Sequence, residues 1–507
     1  MPRSGVTDTV AVAEADTDVP PAGRTGRIRR PRTVPAWSAF LLLVGVFGVT
    51  FALLTPPFWG HDEISQFGRA YQVSRGGVLP VPIPDDRGPA WGGGVPVSIE
   101  RLMNYALDDY TTSAETLDEP EPAVADRSGY RPLEDAPVSA RHITIWFTNT
   151  AAYSPVPYLP QAFGIRVAQL LDVDTGGLLL APRLAGLAAY LAVIGFGLFA
   201  LRRTRVQWLV FAVAVLPITV FQAGTVTADT LTNAVAITLS ALLIKALFLA
   251  TRLTWAETAV LLVAAIALPL CKPSYVLLAL LVVVVPASRL GLRGPLRLLP
   301  GLSAAIGTIG FLAWTRISAP TTDGMSVMRP KRQWHTVVPA DQLQQMLHNP
   351  GEFLTTFGES IMRRDQEWFV EFFGELGFAY VTVPATSVLA GLLAFAIGVG
   401  IAERMSGPSN RITTLVLLTV LISVVLIYVA LYLSFTPVGY YLIDGVQGRY
   451  FVPLALLAFA VLLRWLPLRL QTESGPPATR GPAIVIVTAS TIALVLAVVK
   501  YNLLVWG

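Results

Sequence analysis

The sequence contains few charged residues and almost no cysteine. Only 14% of its 507 residues are Asp, Glu, Lys or Arg, and 53% are hydrophobic, whereas about a quarter of the residues of a soluble domain are charged. A single cysteine, Cys271, excludes an intramolecular disulfide. The sequence also lacks an internal repeat of fixed period, which argues against an inverted-repeat transporter. This composition is typical of a polytopic membrane protein.

Long apolar segments account for most of the chain. A membrane-spanning helix needs roughly 20 mostly apolar residues, and about eleven segments come near this length. Strands of alternating polarity, which a membrane β-barrel requires, are absent, so we predict an all-α bundle. The predicted spans are 36–55, 178–200, 206–222, 229–250, 255–271, 274–288, 298–317, 382–402, 411–435, 450–468 and 482–504.

The arginines of the short connections lie on one side of this arrangement. Several arginines from Arg24 to Arg32 precede the first span, and Arg202, Arg203 and Arg205 follow the second. The positive-inside rule assigns this side to the cytoplasm. We therefore predict a cytoplasmic amino terminus and, for an odd number of spans, an extracytoplasmic carboxyl terminus. The excess of basic residues then reflects orientation and requires no nucleic-acid partner.

Three regions are polar. Residues 1–35 lack apolar periodicity and are predicted to be a disordered cytoplasmic tail, which leaves 36–507 as the membrane domain. Two further segments, named here the first polar loop (56–177) and the second polar loop (318–381), are too long to be simple connections and fall on the extracytoplasmic side. Their local patterns predict helices at 61–76 and 158–171, an irregular segment from Gly76 to Pro96, and a helix on the membrane surface from Phe353 to Phe378.

Ionisable residues are costly near a bilayer and mark candidate functional sites. The predicted topology places the following polar residues on one outer face: Asp62, Glu63, Arg69, Arg183, Gln222, Asp229, Lys272, Gln447 and Arg449. For each cation taken alone, a long side chain that reaches the lipid headgroups is about as good an explanation as a role in a functional site. A shared phosphate explains Arg183, Lys272 and Arg449 together. Asp229 is a candidate cap of the fourth span and a candidate site residue, two roles that can coexist, with Asn233 one turn along the helix.

The first polar loop begins with an acidic pair. If residues 61–72 are helical, Asp62 shares a face with Gln66 and Arg69, and Glu63 lies on the neighbouring face. Asp62 is then a candidate general base. Glu63 is a candidate metal ligand, a group that orients a neighbouring side chain, or a hydrogen-bond acceptor for the substrate. The alternative is an acidic helix start that interacts favourably with the helix dipole.

Short sequence blocks recur along the chain in a recognisable order. They are 55–58, 62–63, 69–71, 153–161, 183–185, 216–223, 229–234, 272–273 and 445–451. Together they resemble the blocks of domain-of-unknown-function family 2142, a set of bacterial polytopic membrane proteins, from about residue 36 to the last span. His61 stands where the family usually has proline and Gln66 where it often has histidine, so no imidazole is assigned a role.

The layout of that family is similar to the GT-C class of integral membrane glycosyltransferases. The resemblance implies a GT-C-like bundle with two large extracytoplasmic loops in the bacterial plasma membrane. It also implies that Asp62 occupies the position of the catalytic acid, with Glu63 as the close alternative. The implied donor is a polyprenyl-phosphate-linked hexose or pentose, and the implied acceptor is a glycan or lipid of the cell envelope.

Residue chemistry agrees with sugar transfer from a lipid phosphate. The reaction needs a base for the acceptor hydroxyl and cations near the departing phosphate. With Asp62 as the base, a single displacement inverts the anomeric carbon, while Arg183, Lys272 and Arg449 hold the phosphate. The other predicted substrate-binding residues are Arg69, Tyr71, Tyr153, Tyr158, Gln222, Asp229, Asn233, Gln447 and Tyr450.

Three points stay open at this stage. Asp62, Glu63 and Asp229 could hold a divalent cation, although ligands so scattered in sequence are a weak indication. A flippase or exporter of lipid-linked glycan would also bind phosphate, but it should carry comparable charges on both faces and along a path through the bilayer. A scaffold for envelope assembly explains the spans but not the polar residues on the outer face.

Overall fold

The protein is described by a computed structural model that covers residues 35–84, 88–114, 124–321, 336–378, 380–468 and 480–507. The predicted disordered tail lies outside these residues except for its last position.

Helices form the body of the protein. In chain order the α-helices are α1 (Ala36–Leu54), α2 (Glu63–Ser74), α3 (Val97–Ala114), α4 (Arg127–Glu134), α5 (Thr148–Ala151), α6 (Leu159–Leu170), α7 (Thr175–Ala200), α8 (Gln207–Ala214), α9 (Pro217–Ala223), α10 (Asp229–Leu243), α11 (Trp255–Cys271), α12 (Val276–Leu280), α13 (Leu299–Ser318), α14 (Pro339–His348), α15 (Pro350–Gly374), α16 (Ala385–Ile401), α17 (Asn410–Ser434), α18 (Val452–Trp465) and α19 (Arg480–Val505).

Seven helices within the described residues are long and apolar enough to cross a membrane. They are α1, α7, α10 with its π-helical extension, α13 with its flanking turns, α17, α18 with its preceding turn, and α19. The apolar helices α11, α16 and the segment around α12 are shorter. All of them coincide with predicted spans. The remaining predicted span, 206–222, corresponds to α8 and α9, which are separated because Leu216 is extended before Pro217. The multi-pass helical membrane fold is thus confirmed, and the number eleven stays a prediction.

Helix α10 lies at the centre of the bundle. Of its spanning window, 94% is buried, against 33% for α1, and it packs against α7, α11 and α18. A helix buried on all sides is a core element. Its first residue is Asp229, so the bundle presents this carboxylate from its middle.

The first polar loop contains helices and a small sheet. Helices α2 and α6 confirm the two predicted helical segments. The irregular segment from Gly76 to Pro96 is a wrong prediction, because it contains β1 (Val81–Ile83) and β2 (Ala90–Pro96). Strand β2 pairs antiparallel with β1 and with β3 (His142–Trp146). Glycine normally weakens a strand, but at Gly92 its missing side chain leaves room for the backbone of β3.

The second polar loop lies against the same end of the bundle. Helix α15 confirms the predicted helix in this loop and packs against the turn that precedes α18. After α15 the chain forms β4 (Glu375–Leu376), which pairs antiparallel with β5 (Val381–Thr382). The backbone N–H of Phe378 donates to the carbonyl of Trp59, 3.0 Å away. Both polar loops therefore meet beside the turn that ends at Asp62.

Replacing Gly92 by alanine should destabilise the sheet of the first polar loop. A Cβ at this position would overlap the carbonyl oxygen of Ile145, and such overpacking costs about 1–3 kcal/mol. Gly94→Ala is the matched control in the same strand, since the atom nearest to its Cβ would lie 3.9 Å away. Thermal unfolding in detergent measures the difference, and equal midpoints for the two variants would contradict the packing described for β2.

Candidate functional site

The turn before α2 places Asp62 in an unusual backbone conformation. Its φ is 52° and its ψ is 24°, in the left-handed region, and its side chain does not cap α2. Asp and Asn are among the non-glycine residues that tolerate this region, and such conformations often occur at functional sites. The carboxyl group of Asp62 therefore does not make the hydrogen bond to the first turn of α2 that a capping acid would make.

The neighbouring Glu63 is fully buried and forms a two-pronged ion pair with Arg183. Arg183 Nε donates to Glu63 Oε1 at 2.8 Å, and Arg183 Nη2 donates to Glu63 Oε2 at 2.6 Å. Each carboxylate oxygen also accepts a backbone N–H, from Val226 and from Gly60. Glu63 is thus held on all sides by the protein, in a position that orients the turn rather than one that is open to a substrate.

Arg183 uses all its hydrogen-bond donors inside the protein. Besides its two bonds to Glu63, it donates to the carbonyl groups of Ala52, Thr55 and Pro56 at the end of α1. A guanidinium group has five N–H donors, and these five bonds occupy them. Arg183 consequently has no donor left for a phosphate, and the structure assigns it to the framework of the site.

Asp229, Lys272 and Arg449 form a compact cluster. Lys272 Nζ donates to Asp229 Oδ1 at 3.0 Å, and Arg449 Nε lies 3.5 Å from Asp229 Oδ2. Gln222 donates to Asp229 Oδ2 and accepts from Asn233. The interpretation of Asp229 as a helix cap is wrong, because the N-cap of α10 is Ala228 and no side chain caps it. The carboxylate instead brings two cations together.

The ring of Tyr450 supports the cationic side of this cluster. Lys272 Nζ lies 3.9 Å from the ring centroid and the guanidinium of Arg449 lies 5.4 Å from it, both within the range of cation–π attraction. The hydroxyl of Tyr275 donates to the backbone carbonyl of Tyr450 and fixes that residue. Tyr450 therefore keeps the two positive charges on the same side of Asp229.

Arg449 differs sharply from Arg183. It is 7% exposed, yet within the described parts of the chain its guanidinium donates no hydrogen bond. Three nearby buried atoms also lack a partner among the described residues: His61 Nδ1, Asn149 Oδ1 and Gln447 Oε1. Buried polar groups are nearly always hydrogen-bonded. Arg449 and these residues thus belong to a polar region in which the described part of the protein leaves hydrogen bonds unmade.

Asp62 lies at the edge of this region. It forms no ion pair with any residue that the structure describes, and its carboxylate accepts a hydrogen bond from Asn149. Burial raises the pKa of Asp62 above its ordinary value, and the nearby Arg449 opposes that effect. The predicted proximity of Asp62 to the Asp229 cluster is thus present in the structure.

The remaining predicted tyrosines separate into two groups. Tyr153 lies near Lys272, and burial raises the pKa of its hydroxyl to about 12, so the group stays protonated. Tyr158 donates to Gln66 Oε1 at 2.6 Å. Tyr71 is turned toward the sheet, where its hydroxyl lies 3.0 Å from His142 Nε2. Tyr153 therefore lies beside the Asp229 cluster, whereas the hydroxyl groups of Tyr71 and Tyr158 have partners within the protein.

Arg69 also has a structural position. Its guanidinium donates to Gln72 and to the carbonyl groups of Val78 and Tyr153. Burial lowers its pKa to about 10. Arg69 therefore anchors the segment that carries Tyr153 and lies outside the Asp229 cluster.

The three acids proposed as metal ligands do not converge. Glu63 is paired with Arg183 and Asp229 is paired with Lys272, and Asp62 is a member of neither ion pair. No group of three or more His, Cys, Asp or Glu side chains with a suitable arrangement occurs among the described residues. The predicted cation site made of these three residues is therefore not formed.

The profile of a family described as predicted membrane proteins, DUF2142, matches residues 44–458. The chain belongs to the DUF2142 family. This confirms the resemblance inferred from the sequence blocks, and the matched region contains the whole cluster around Asp229. No curated protein and no solved structure matches this DUF2142 protein.

The second polar loop contributes acids that sequence analysis missed. Glu371 accepts the backbone N–H of Gly448, directly before Arg449, and Glu375 lies near both Glu371 and Arg449. Glu367 and Glu371 are four residues apart and share one face of α15, and Glu375 follows as the first residue of β4. That spacing was visible in the sequence, but nothing there showed that this face meets Arg449.

Removing one partner of the Glu63–Arg183 pair should strongly destabilise this DUF2142 protein. Glu63→Gln leaves Arg183 buried without its counter-charge, which costs about 3–5 kcal/mol. Arg131→Gln is the control, because its 3.9 Å pair with Asp135 is exposed and such pairs contribute about 0–1 kcal/mol. Unfolding midpoints in detergent test this, and a small effect at Glu63 would remove the pair from the framework.

Glu375 should make stability depend on pH. Burial and the neighbouring Glu371 raise its pKa from 4.5 to about 7, so the folded state binds this proton more tightly than the unfolded state does. The contribution is present below pH 4.5 and is lost as the pH rises through about 7. Glu375→Gln should therefore raise the unfolding midpoint more at pH 8 than at pH 5. Glu359→Gln, at a half-exposed position of α15, should show no such difference.

Proposed function

We propose that this protein is an inverting glycosyltransferase of GT-C type that uses a polyprenyl-phosphate-linked sugar as its donor. The observation that supports this most is Arg449, a buried guanidinium that lies beside Lys272 and Asp62 and donates no hydrogen bond to any residue the structure describes. A cation with free donors next to an acid without an ion pair suits the two chemical tasks of glycosyl transfer.

The phosphate of the donor binds to Arg449 and Lys272. Asp229 balances only part of their charge, since two cations share one carboxylate. Arg449 offers a planar set of donors for phosphate oxygens, and Lys272 adds a compact charge. Both cations stabilise the negative charge that grows on the phosphate as its bond to the sugar breaks.

Asp62 acts as the general base. It removes the proton of the acceptor hydroxyl, the oxygen attacks the anomeric carbon, and the polyprenyl phosphate leaves with the bonding electrons. A raised pKa makes a carboxylate a stronger base, and burial shifts the pKa of Asp62 in that direction. Asn149 orients the carboxylate through its hydrogen bond. A single displacement of this kind inverts the configuration of the sugar.

Other residues support these roles. Gln222 and Asn233 orient Asp229, Tyr450 supports the two cations, and Tyr153 and Gln447 contact the sugar. Glu63 and Arg183 hold the turn of Asp62 in place without touching the substrate. The partners are the lipid-linked donor, a glycan or lipid acceptor of the cell envelope, and the surrounding membrane lipids.

The proposed reaction takes place outside the cell. In the predicted topology the amino terminus is cytoplasmic, so the ends of α1 and α11 and the starts of α10 and α18 lie on the extracytoplasmic face of the bacterial plasma membrane. Transfer of a hexose or pentose there requires a lipid-linked donor, because nucleotide sugars are confined to the cytoplasm.

Asp62→Asn should abolish sugar transfer and leave the fold intact. Asparagine tolerates the left-handed backbone conformation of this position but cannot accept a proton from the acceptor. Asp172→Asn is the matched control, because Asp172 is an exposed acid with a φ of 50°. Transfer from a radiolabelled polyprenyl-phosphate sugar is measured in proteoliposomes, with the unfolding midpoint as a check on folding.

Two outcomes of this experiment would contradict the proposal. Unchanged turnover of Asp62→Asn removes Asp62 as the base. Movement of the lipid-linked sugar across the vesicle membrane without any transfer favours the flippase or exporter instead. Arg449→Gln should weaken donor binding at least about tenfold, and an unchanged donor affinity would exclude a phosphate at Arg449.

A further inference from the structure

A cavity lined by arginines lies at the amino-terminal end of α11, and Lys272 follows the other end of this helix. The cavity has a volume of about 490 Å³, and its lining includes Arg252, Arg293 and Arg297 together with Gly291. Helix α11 has 17 residues, which at 1.5 Å per residue separates this cavity from Lys272 by about 25 Å along the helix. It is therefore a different site from the Asp229 cluster and lies at the other face of the bundle.

None of the three arginines has an acidic partner among the residues that the structure describes. The sequence from 250 to 298 contains one acid, Glu257. Both oxygens of Glu257 are occupied, because Lys245 donates to Oε1 and the backbone N–H of Thr254 donates to Oε2. The cavity consequently holds three uncompensated positive charges.

The backbone of this region is built to hold the cavity open. Gly291 has a φ of +68°, and a Cβ there would lie 2.9 Å from Arg252 Nη2, so a larger residue would displace that guanidinium. The backbone N–H of Leu253 donates to the carbonyl of Arg289 at 2.8 Å. Thr258 Oγ1 donates to the carbonyl of Leu290 at 3.0 Å. These bonds fix the Arg252 segment against the loop that carries Gly291.

Exposed apolar residues flank the arginines. Trp255 is 67% exposed, Leu296 is 48% exposed and Leu298 is 74% exposed. Tryptophan is enriched where a membrane meets water, and basic pockets between helices on the cytoplasmic side are typical binding sites for anionic headgroups. A free phosphate would use the arginines alone, whereas a phospholipid also uses the apolar residues beside them.

We propose that the cavity lined by Arg252, Arg293 and Arg297 binds the phosphate headgroup of an anionic phospholipid, whose acyl chains lie along Trp255 and Leu298. The site does not depend on the proposed transferase activity. It also gives these arginines a role beyond orientation, since orientation requires only positive charge whereas headgroup binding requires the planar donor set of arginine.

The test measures binding of short-chain phosphatidylglycerol to the purified full-length protein in neutral detergent. Arg252→Gln combined with Arg293→Gln should weaken binding about tenfold or more. Arg203→Gln combined with Arg404→Gln is the control, because it removes two exposed arginines that lie outside the cavity, and it should retain the parent affinity. Arg252→Lys combined with Arg293→Lys keeps the charge and should still bind more weakly than the parent protein.

Several results would overturn the proposal. Equal losses of lipid affinity in the cavity variant and in the control variant would mean that the lipid is bound by general charge attraction. Full binding by the lysine variant would exclude recognition by guanidinium groups. Inorganic phosphate that displaces the lipid at equal concentration would assign the cavity to a soluble anion rather than to a phospholipid.

Discussion

The ion pair between Glu63 and Arg183 holds together the elements on which the site depends. Arg183 of helix α7 donates hydrogen bonds to the carbonyl groups at the end of α1. Through Glu63, the start of α2 is tied to the backbone before α10 at Val226. Two charges removed from water gain stability only when their geometry and hydrogen bonding are nearly complete, and here every donor and acceptor of the pair is used. The result is a rigid turn in which Asp62, one residue earlier, has a fixed position and direction.

The contrast between Arg183 and Arg449 explains how one residue type serves two purposes. Both side chains are almost fully buried. Arg183 has its five donors satisfied by the protein, so it contributes to the framework. Arg449 has a carboxylate nearby but no hydrogen bond within the described chain, so its donors are not used there. Neither burial nor charge distinguishes them, and the difference lies in the surrounding hydrogen-bond acceptors: carbonyl groups converge on Arg183, whereas no acceptor within the described chain bonds to Arg449.

The sequence was sufficient for the parts of the fold that depend on hydrophobicity and chain direction. Apolar length located the helices, and alternation of direction predicted that Asp62, Asp229, Lys272 and Arg449 would share one face, which they do. The sequence was insufficient where contacts between residues far apart in the chain determine the structure. The strands β1 and β2 lie in a glycine-rich segment that has little strand propensity of its own. Glu63 and Arg183 looked like functional residues because their partnership across separate helices is not visible in local spacing, and Glu371 and Glu375 were missed for the same reason.

The central position of α10 has a consequence for how the protein is made. Its first residue, Asp229, enters the bilayer region during synthesis before either of its cationic partners exists. Lys272 follows 43 residues later, so the α10–α11 hairpin can neutralise that carboxylate as soon as it inserts. Arg449 follows only with the turn before α18, after α11 to α17 have been synthesised. The cluster around Asp229 is therefore completed only when α18 joins the bundle, and a chain that stalls before α18 carries the Lys272–Asp229 pair without Arg449.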